Sequence, residues 1–265
     1  MVAATHAHLR LSLRDPVLWI RVGTVVLLLS VWQLVAVSGL LYDGLVPQPA
    51  SVFVALIGQL GDLSMYRDLW TTVYTSVGGF VLGSVLAIVM GLWLGSNEFM
   101  RRAFEPYIVA LAGTPKIIFL PIIFLVFGLG VESKIVKSAM SAFFPVIFGT
   151  ISGYLQIRLI LLKVGESFHL SVPQKVRMIY VPAMLPALLV GGRLGMAMAI
   201  IGVLAAEVAY SDAGLGYRLM QFSDQFQISA MYATIIIIFA LASVINAIFG
   251  RIQSHKLRYL EAAGD

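Results

Sequence analysis

Cysteine is absent from all 265 residues, which excludes disulfides and cysteine-ligated metal centres. Histidine is nearly so: His6, His8, His169 and His255 are scattered, no two at the spacing of an HExxH-like pair, so no metal site is expected. No GxxxxGK[ST] segment occurs, and the chain is therefore not expected to bind and hydrolyse ATP in a phosphate loop. Neither a GxSxG turn nor a Ser/His/Asp set stands out, and no catalytic residue is expected. Charge is scarce as well, at 12% of residues. That is too little to coat a soluble chain of this length.

What is present is apolar. Hydrophobic residues make up 60% of the chain, mean hydropathy is +0.94, and the apolar residues fall in runs long enough to cross a bilayer. The net charge of +5 does not point to nucleic acid here, because in a membrane chain an excess of Lys and Arg marks loops on the cytoplasmic side. An all-α polytopic protein is expected, with spans at Val22–Leu41, Thr71–Leu94, Glu105–Phe127, Ile135–Leu155, Val181–Val208 and Met231–Gly250. The third contains Thr114-Pro115-Lys116, where proline removes a helix hydrogen bond and favours a kink or break. The first is about 20 residues long, beyond a signal-peptide core, and is expected to stay uncleaved.

Loop charges orient the spans. With both termini inside, the inner segments carry twelve Lys and Arg: Arg10, Arg14, Arg21, Arg101, Arg102, Arg158, Lys163, Lys175, Arg177, Arg251, Lys256 and Arg258. The outer ones carry four, Arg67, Lys134, Lys137 and Arg218. Both termini are therefore expected in the cytoplasm. Between the first two spans Phe53, Leu56, Ile57 and Leu60 recur at helical spacing, predicting a short amphipathic helix at the outer interface. No repeat or low-complexity linker divides the chain. It reads as one membrane domain, 1–265, with cytoplasmic tails at 1–21 and 251–265.

Three features stand out against this background. In the second span Gly79, Gly83, Ala87, Gly91 and Gly95 recur every fourth residue, and such a stripe predicts close helix packing. Three ionisable residues fall in or beside spans, Lys116, Arg193 and Glu207, and such residues are candidates for a translocation path or gate. Arg193 and Glu207 are 14 residues apart, about 21 Å along a helix, too far to pair. The longest polar interruption is 156–180. There Ser171 is placed to cap a short helix with Pro173 in its first turn. Val172, Val176 and Ile179 share a face, Lys175 and Arg177 point elsewhere, and Val181-Pro182 is expected to turn the chain.

The segments TPKIIFLPIIFLVFGLGVESKI, FFPVIFGTISG, YVPAMLP and GGRLGMAMAIIGVLAAEVAYSDAGLGY together resemble the permease subunits of bacterial binding-protein-dependent ABC importers. The closest resemblance is to the nitrate, sulfonate, taurine and thiamine-precursor group, over roughly residues 45–260. It implies a type I importer permease fold with six spans in the bacterial inner membrane. It also implies a second permease subunit, identical or related, two cytoplasmic ATP-binding subunits and an extracytoplasmic solute-binding protein. ATP would be used by the partner, and a small solute such as an organic anion would be carried. The resemblance makes 156–180 the ATPase-coupling loop, with Glu166, His169, Ser171, Val172, Lys175, Val176 and Pro182 as its candidate residues. The loop departs from the family's pattern: counting back from Pro182, the family glycine falls on His169 and its Glu-Ala-Ala on Lys163-Val164-Gly165. On the residues alone, a secondary carrier or channel working without an ATPase is the alternative.

Overall fold

The computed structural model describes residues 16–39 and 45–262, with side chains in the last helix described to residue 255. Arg10, Arg14, Lys256 and Arg258, and the end of the first expected span at Leu41, lie outside the described residues or side chains. The described chain is helical, with no strand among the described residues. Five helices are long and apolar enough to cross a membrane, and a bent pair makes up to a sixth.

The first, α1 (Pro16–Val37), has no buried residue. It touches the rest through Trp32, whose indole N–H donates to the carbonyl of Pro47 at 3.0 Å and whose ring lies 5.9 Å from that of Tyr232. The short helix expected next is α2 (Pro49–Leu60), started by Pro49 at its N-terminus. The apolar residues expected at the membrane interface are mostly turned outward. Phe53, Ile57 and Leu60 are exposed, while Val52 and Gln59 are buried, because the amide of Gln59 bonds the Ala230 carbonyl at 2.8 Å and turns that side of α2 inward.

Helices α3 (Leu63–Ser96), α6 (Val131–Leu155) and α9 (Val181–Ala209) form the centre, with α6 between the other two. Small residues let them approach. A Cβ built on Gly79 would strike Ser138, on Gly83 the backbone of Ala139, on Gly91 the Thr150 side chain at 2.7 Å, and on Gly95 Tyr154 at 2.9 Å. On the other side of α6, Gly149 and Gly191 face each other, a Cβ on Gly149 falling 3.0 Å from the Gly191 Cα. Lipid is as apolar as leucine, so close backbone approach and van der Waals contact hold such helices together. The long α11 (Ile228–Ala262) packs on α2, α9 and the short α10 (Leu215–Asp224).

The expected third span is two helices. Asn97 ends α3 and caps α4 (Glu98–Gly113), accepting from the Met100 N–H at 3.1 Å. At Thr114-Pro115 the chain bends by 90°, through a 3-10 turn (Lys116–Phe119) into α5 (Leu120–Phe127). Thr114 is extended, with φ −72° and ψ 134°, as the residue before a proline must be when the α region is sterically closed to it.

The turn expected at Val181-Pro182 is absent. After α7 (Leu159–Ser167), α8 (Val172–Lys175) runs through a π turn (Val176–Tyr180) into α9, one continuous helix of 38 residues from Val172 to Ala209. The Val181 N–H bonds the Val176 carbonyl, five residues back. This wider turn makes room for Pro182, which lacks an N–H and would crowd the carbonyl of the preceding turn in an ordinary helix.

Candidate functional site

A cavity of about 1040 Å³ lies between the α4–α5 bend, α6 and α9. Pro115 and Lys116 line it from the bend, Lys137, Ser141 and Phe144 from α6, and Pro186, Val190 and Met198 from α9. Lys116 is held at its mouth. Its ammonium donates to the carbonyl of Ala112 at 2.7 Å and of Thr114 at 3.3 Å, at the C-terminus of α4, where a cation meets the negative end of the helix dipole. It also lies 4.7 Å from the centre of the Phe144 ring.

Lys137 was read as an outer loop charge, together with Lys134 and Arg218. All three are buried, Lys137 to 3% exposure and Lys134 to 1%. α6 begins at Val131, one turn ahead of the expected Ile135, which brings Lys134 into the helix, and Lys134 and Lys137, three residues apart, share its packed face. Lys134 donates to the Ala213 carbonyl at 2.9 Å and pairs with Asp212 at 3.6 Å. Arg218 ties α10 to the start of α3, reaching Asp62 at 2.7 Å, Asp68 at 3.3 Å and Ser64 at 2.8 Å. Hydrogen bonds from Ser64 and from Arg218 hold the Asp62 carboxyl down at about 2.

The three ionisable residues singled out in the sequence are not brought together. Lys116 lines the cavity. Arg193 is exposed, its Nε donating to Asn246 Oδ1 at 2.8 Å across a separate apolar groove between α9 and α11. Glu207 is fully buried, and its carboxylate closes the start of α10. It accepts from Thr72 Oγ1 at 2.9 Å and from the Gly216 N–H at 2.9 Å, while the Thr72 hydroxyl in turn accepts from the Leu215 N–H at 2.9 Å. Gly214, at φ 116°, brings the backbone against that carboxylate, where any Cβ would collide with it. No signal local in the sequence joins Glu207 to Thr72, 135 residues away.

At the far end of α9 stands the α7–α8 hairpin. Its closure turns on His169. Leu170 N–H bonds the Gly165 carbonyl at 3.0 Å and His169 N–H the Glu166 carbonyl at 2.9 Å, the paired bonds of a Schellman end, which needs a left-handed residue at that point. His169 supplies it at φ 50°. Beyond it Gln174 Oε1 accepts from the Ser171 N–H at 2.8 Å, closing the start of α8. Gly165 is buried against Ile179, whose Cδ1 lies 2.6 Å from where a Cβ would be. Ile179 joins Ile157 and Met184 in a cluster that fixes the hairpin to the base of the bundle. The outer side is bare: Phe168 and Val172 are each 74% exposed, and Val176, Glu166 and His169 are exposed with them. Lys175 is half-buried beside Gly165.

A left-handed non-glycine residue costs roughly 1–2 kcal/mol. His169→Gly is therefore expected to stabilise the hairpin by about 1 kcal/mol, less than the full cost because glycine is freer when unfolded. Amide hydrogen exchange at residues 165–175 should slow by about fivefold. Exchange that quickens would show the His169 ring to be holding the hairpin instead.

A bundle of long apolar helices, with a cavity on one side and an exposed hairpin at one end, has the form of a multi-pass membrane protein. Residues 79–259 match the model of the binding-protein-dependent transport system inner membrane component family, and the chain belongs to that family. An aliphatic sulfonates transport permease protein of Bacillus subtilis (strain 168) is 27% identical over 87% of this chain and 83% of its own. The taurine transport system permease protein of Escherichia coli (strain K12) is 25% identical over 85% and 84%. The formylaminopyrimidine transport permease protein of Halalkalibacterium halodurans is 29% identical over 80% and 84%. Among solved structures, the inward-facing MetNI methionine ABC transporter superposes with a TM-score of 0.64 at 18% identity, covering 72% of this chain and 95% of that one. The chain therefore has the type I importer permease fold.

Proposed function

We propose that this chain is the permease subunit of an ATP-driven importer, providing half of the pathway for a small organic anion. It has no ATP-binding motif, and ATP is used by two cytoplasmic ATP-binding subunits. A second permease subunit, the same or related, completes the pathway, and an extracytoplasmic solute-binding protein delivers the solute. Both termini are placed in the cytoplasm. The excess of Lys and Arg in the inner segments supports this orientation.

The observation that carries the reading is mechanical. Val172, on the bare side of the hairpin, begins the same unbroken helix whose Pro186, Val190 and Met198 line the cavity. At 1.5 Å per residue that helix is about 57 Å long. A partner that grips the hairpin and moves it moves a cavity wall, and rigid elements of this kind carry alternating access.

The test uses Val172→Asp with Val176→Asp. Charge forced into a dehydrated contact costs several kcal/mol, so ATPase affinity should fall by at least about 100-fold. Both residues are exposed in the chain itself, so its membrane level should not change. Expected, therefore, are normal insertion, no ATPase co-purification and no solute-stimulated ATP hydrolysis. A double variant that still co-purifies its ATPase and transports normally makes the hairpin a linker and removes the basis of this reading.

A further inference from the structure

The large cavity contains two cations and no acid. Among its lining residues the charged ones are Lys116 and Lys137, and no Asp or Glu faces them. Neither lysine forms an ion pair with a carboxylate among the described residues. Their positions differ. Lys116 is bonded to two carbonyls at the end of α4. Lys137 is buried to 3% exposure, yet its three ammonium hydrogens find a single protein acceptor, Ser141 Oγ, at a long 3.3 Å. Lys116 lies close enough for the two ammonium groups to repel each other. A buried charge without a partner is expensive. By contrast Lys134, one turn earlier on the same helix and as deeply buried, has both a carbonyl and Asp212.

The rest of the cavity wall is apolar, with Phe144, Phe148, Val190, Met198 and Ile201 around the lysines. From these features we infer that the cavity binds an organic anion, Lys137 taking its acid group with Lys116 beside it, and the apolar wall taking its carbon chain. This inference rests on the importer reading above and adds a selectivity to it. An anion entering the cavity compensates both ammonium groups and recovers the hydrogen bonds that Lys137 lacks. A zwitterion such as taurine brings an ammonium that finds two like charges and no carboxylate, and like-charge juxtaposition disfavours it. An alkanesulfonate therefore fits where an aminosulfonate does not. The chemistry of an acid oxygen on lysine is shared by one other source, the phosphate of a membrane lipid, and the experiment separates the two.

The solute-binding protein must be left out, because its own selectivity would mask that of the cavity. The full chain in lipid nanodiscs, with the ATPase that co-purifies, is titrated with radiolabelled butanesulfonate at fixed ionic strength. Lys137→Met is expected to weaken binding by about 10-fold or more, the loss of a charge-assisted hydrogen bond. Lys137→Arg should stay within a few-fold of the parent, and Lys116→Met should fall between. Taurine should compete at least about 10-fold less well than butanesulfonate. Affinity should rise from methane- to butanesulfonate by up to roughly fourfold per methylene.

Equal binding by Lys137→Met, or equal competition by taurine, overturns the inference. So does a phospholipid that co-purifies with the parent, is lost in Lys137→Met, and is not displaced by butanesulfonate. Should Lys137→Met fail to insert, the competition series on the parent chain decides alone. ATPase co-purification is scored separately. Its persistence without selective binding leaves the importer reading standing and this inference fallen, whereas ATPase-independent uptake of butanesulfonate defeats the importer reading and spares the cavity.

Discussion

Gly83→Leu is expected to abolish stable assembly of the bundle. The first atom of any side chain there meets the carbonyl oxygen of Ala139, with the Ala139 Cα at 2.9 Å. These are backbone atoms in the middle of α6 and cannot rotate aside as a side-chain tip would. The substitution must push α3 off α6, and α6 carries α9 on its other side. Overpacking at such a contact costs about 3 kcal/mol or more, a large fraction of the net stability of a domain. Gly91→Leu meets Thr150 Cβ at 2.7 Å and should behave alike, somewhat less severely because a side chain can yield. Gly58→Leu is the control, since nothing lies within 4 Å of a Cβ there. Membrane level and the melting temperature of the detergent-solubilised protein read the effect. Normal values in both Gly83→Leu and Gly91→Leu would mean that α3 does not pack on α6 through this stripe.

Glu207→Leu is expected to be comparably damaging by a different route. It leaves the Thr72 hydroxyl and the Gly216 N–H without their acceptor in a buried site. Breaking one side of a buried charged network costs about 3–5 kcal/mol. Glu207→Gln keeps the shape and one carbonyl acceptor, so its cost should be smaller, about 1–2 kcal/mol. The damage should be local at first. Residues 210–216, which the carboxylate ties to α3, should become open to limited proteolysis before the rest of the bundle unfolds. If Glu207→Leu kept parental stability and protease resistance but lost transport, Glu207 would belong to the solute path rather than to this latch.

The class of this protein could be read from local properties of its sequence. Apolar runs of bilayer length, basic residues between them and a proline inside the third run are signals that each segment carries by itself. The structure has long apolar helices there, with a 90° bend at Thr114-Pro115. Ser171 and Gln174, three residues apart, likewise announce the start of α8. The limits of that reading are also physical. In a membrane helix the face toward lipid and the face toward protein are both apolar, so periodicity does not separate them. On α2 the apolar residues Phe53, Ile57 and Leu60 are exposed while the polar Gln59 is buried.

Helix ends were the other weak point. α6 starts one turn before the expected Ile135, which takes Lys134 out of the loop, and apolar content alone does not show that Lys137 inside the span is buried. The cavity's second cation was thereby lost from view, leaving Lys116 alone, recognisable because it stands beside a proline in an apolar run. The resemblance singles out His169, but only the backbone shows it as the left-handed residue of a Schellman end. By itself the sequence determined the long apolar helices and the break at Pro115, because apolar run length and proline effects are decided within a few neighbouring residues. The tertiary structure alone decided which charges are paired. Glu207 finds Thr72 and Lys134 finds Asp212 across long stretches of chain, while Lys137 finds no acid among the described residues, and such partners are set by how helices pack rather than by any spacing along the chain.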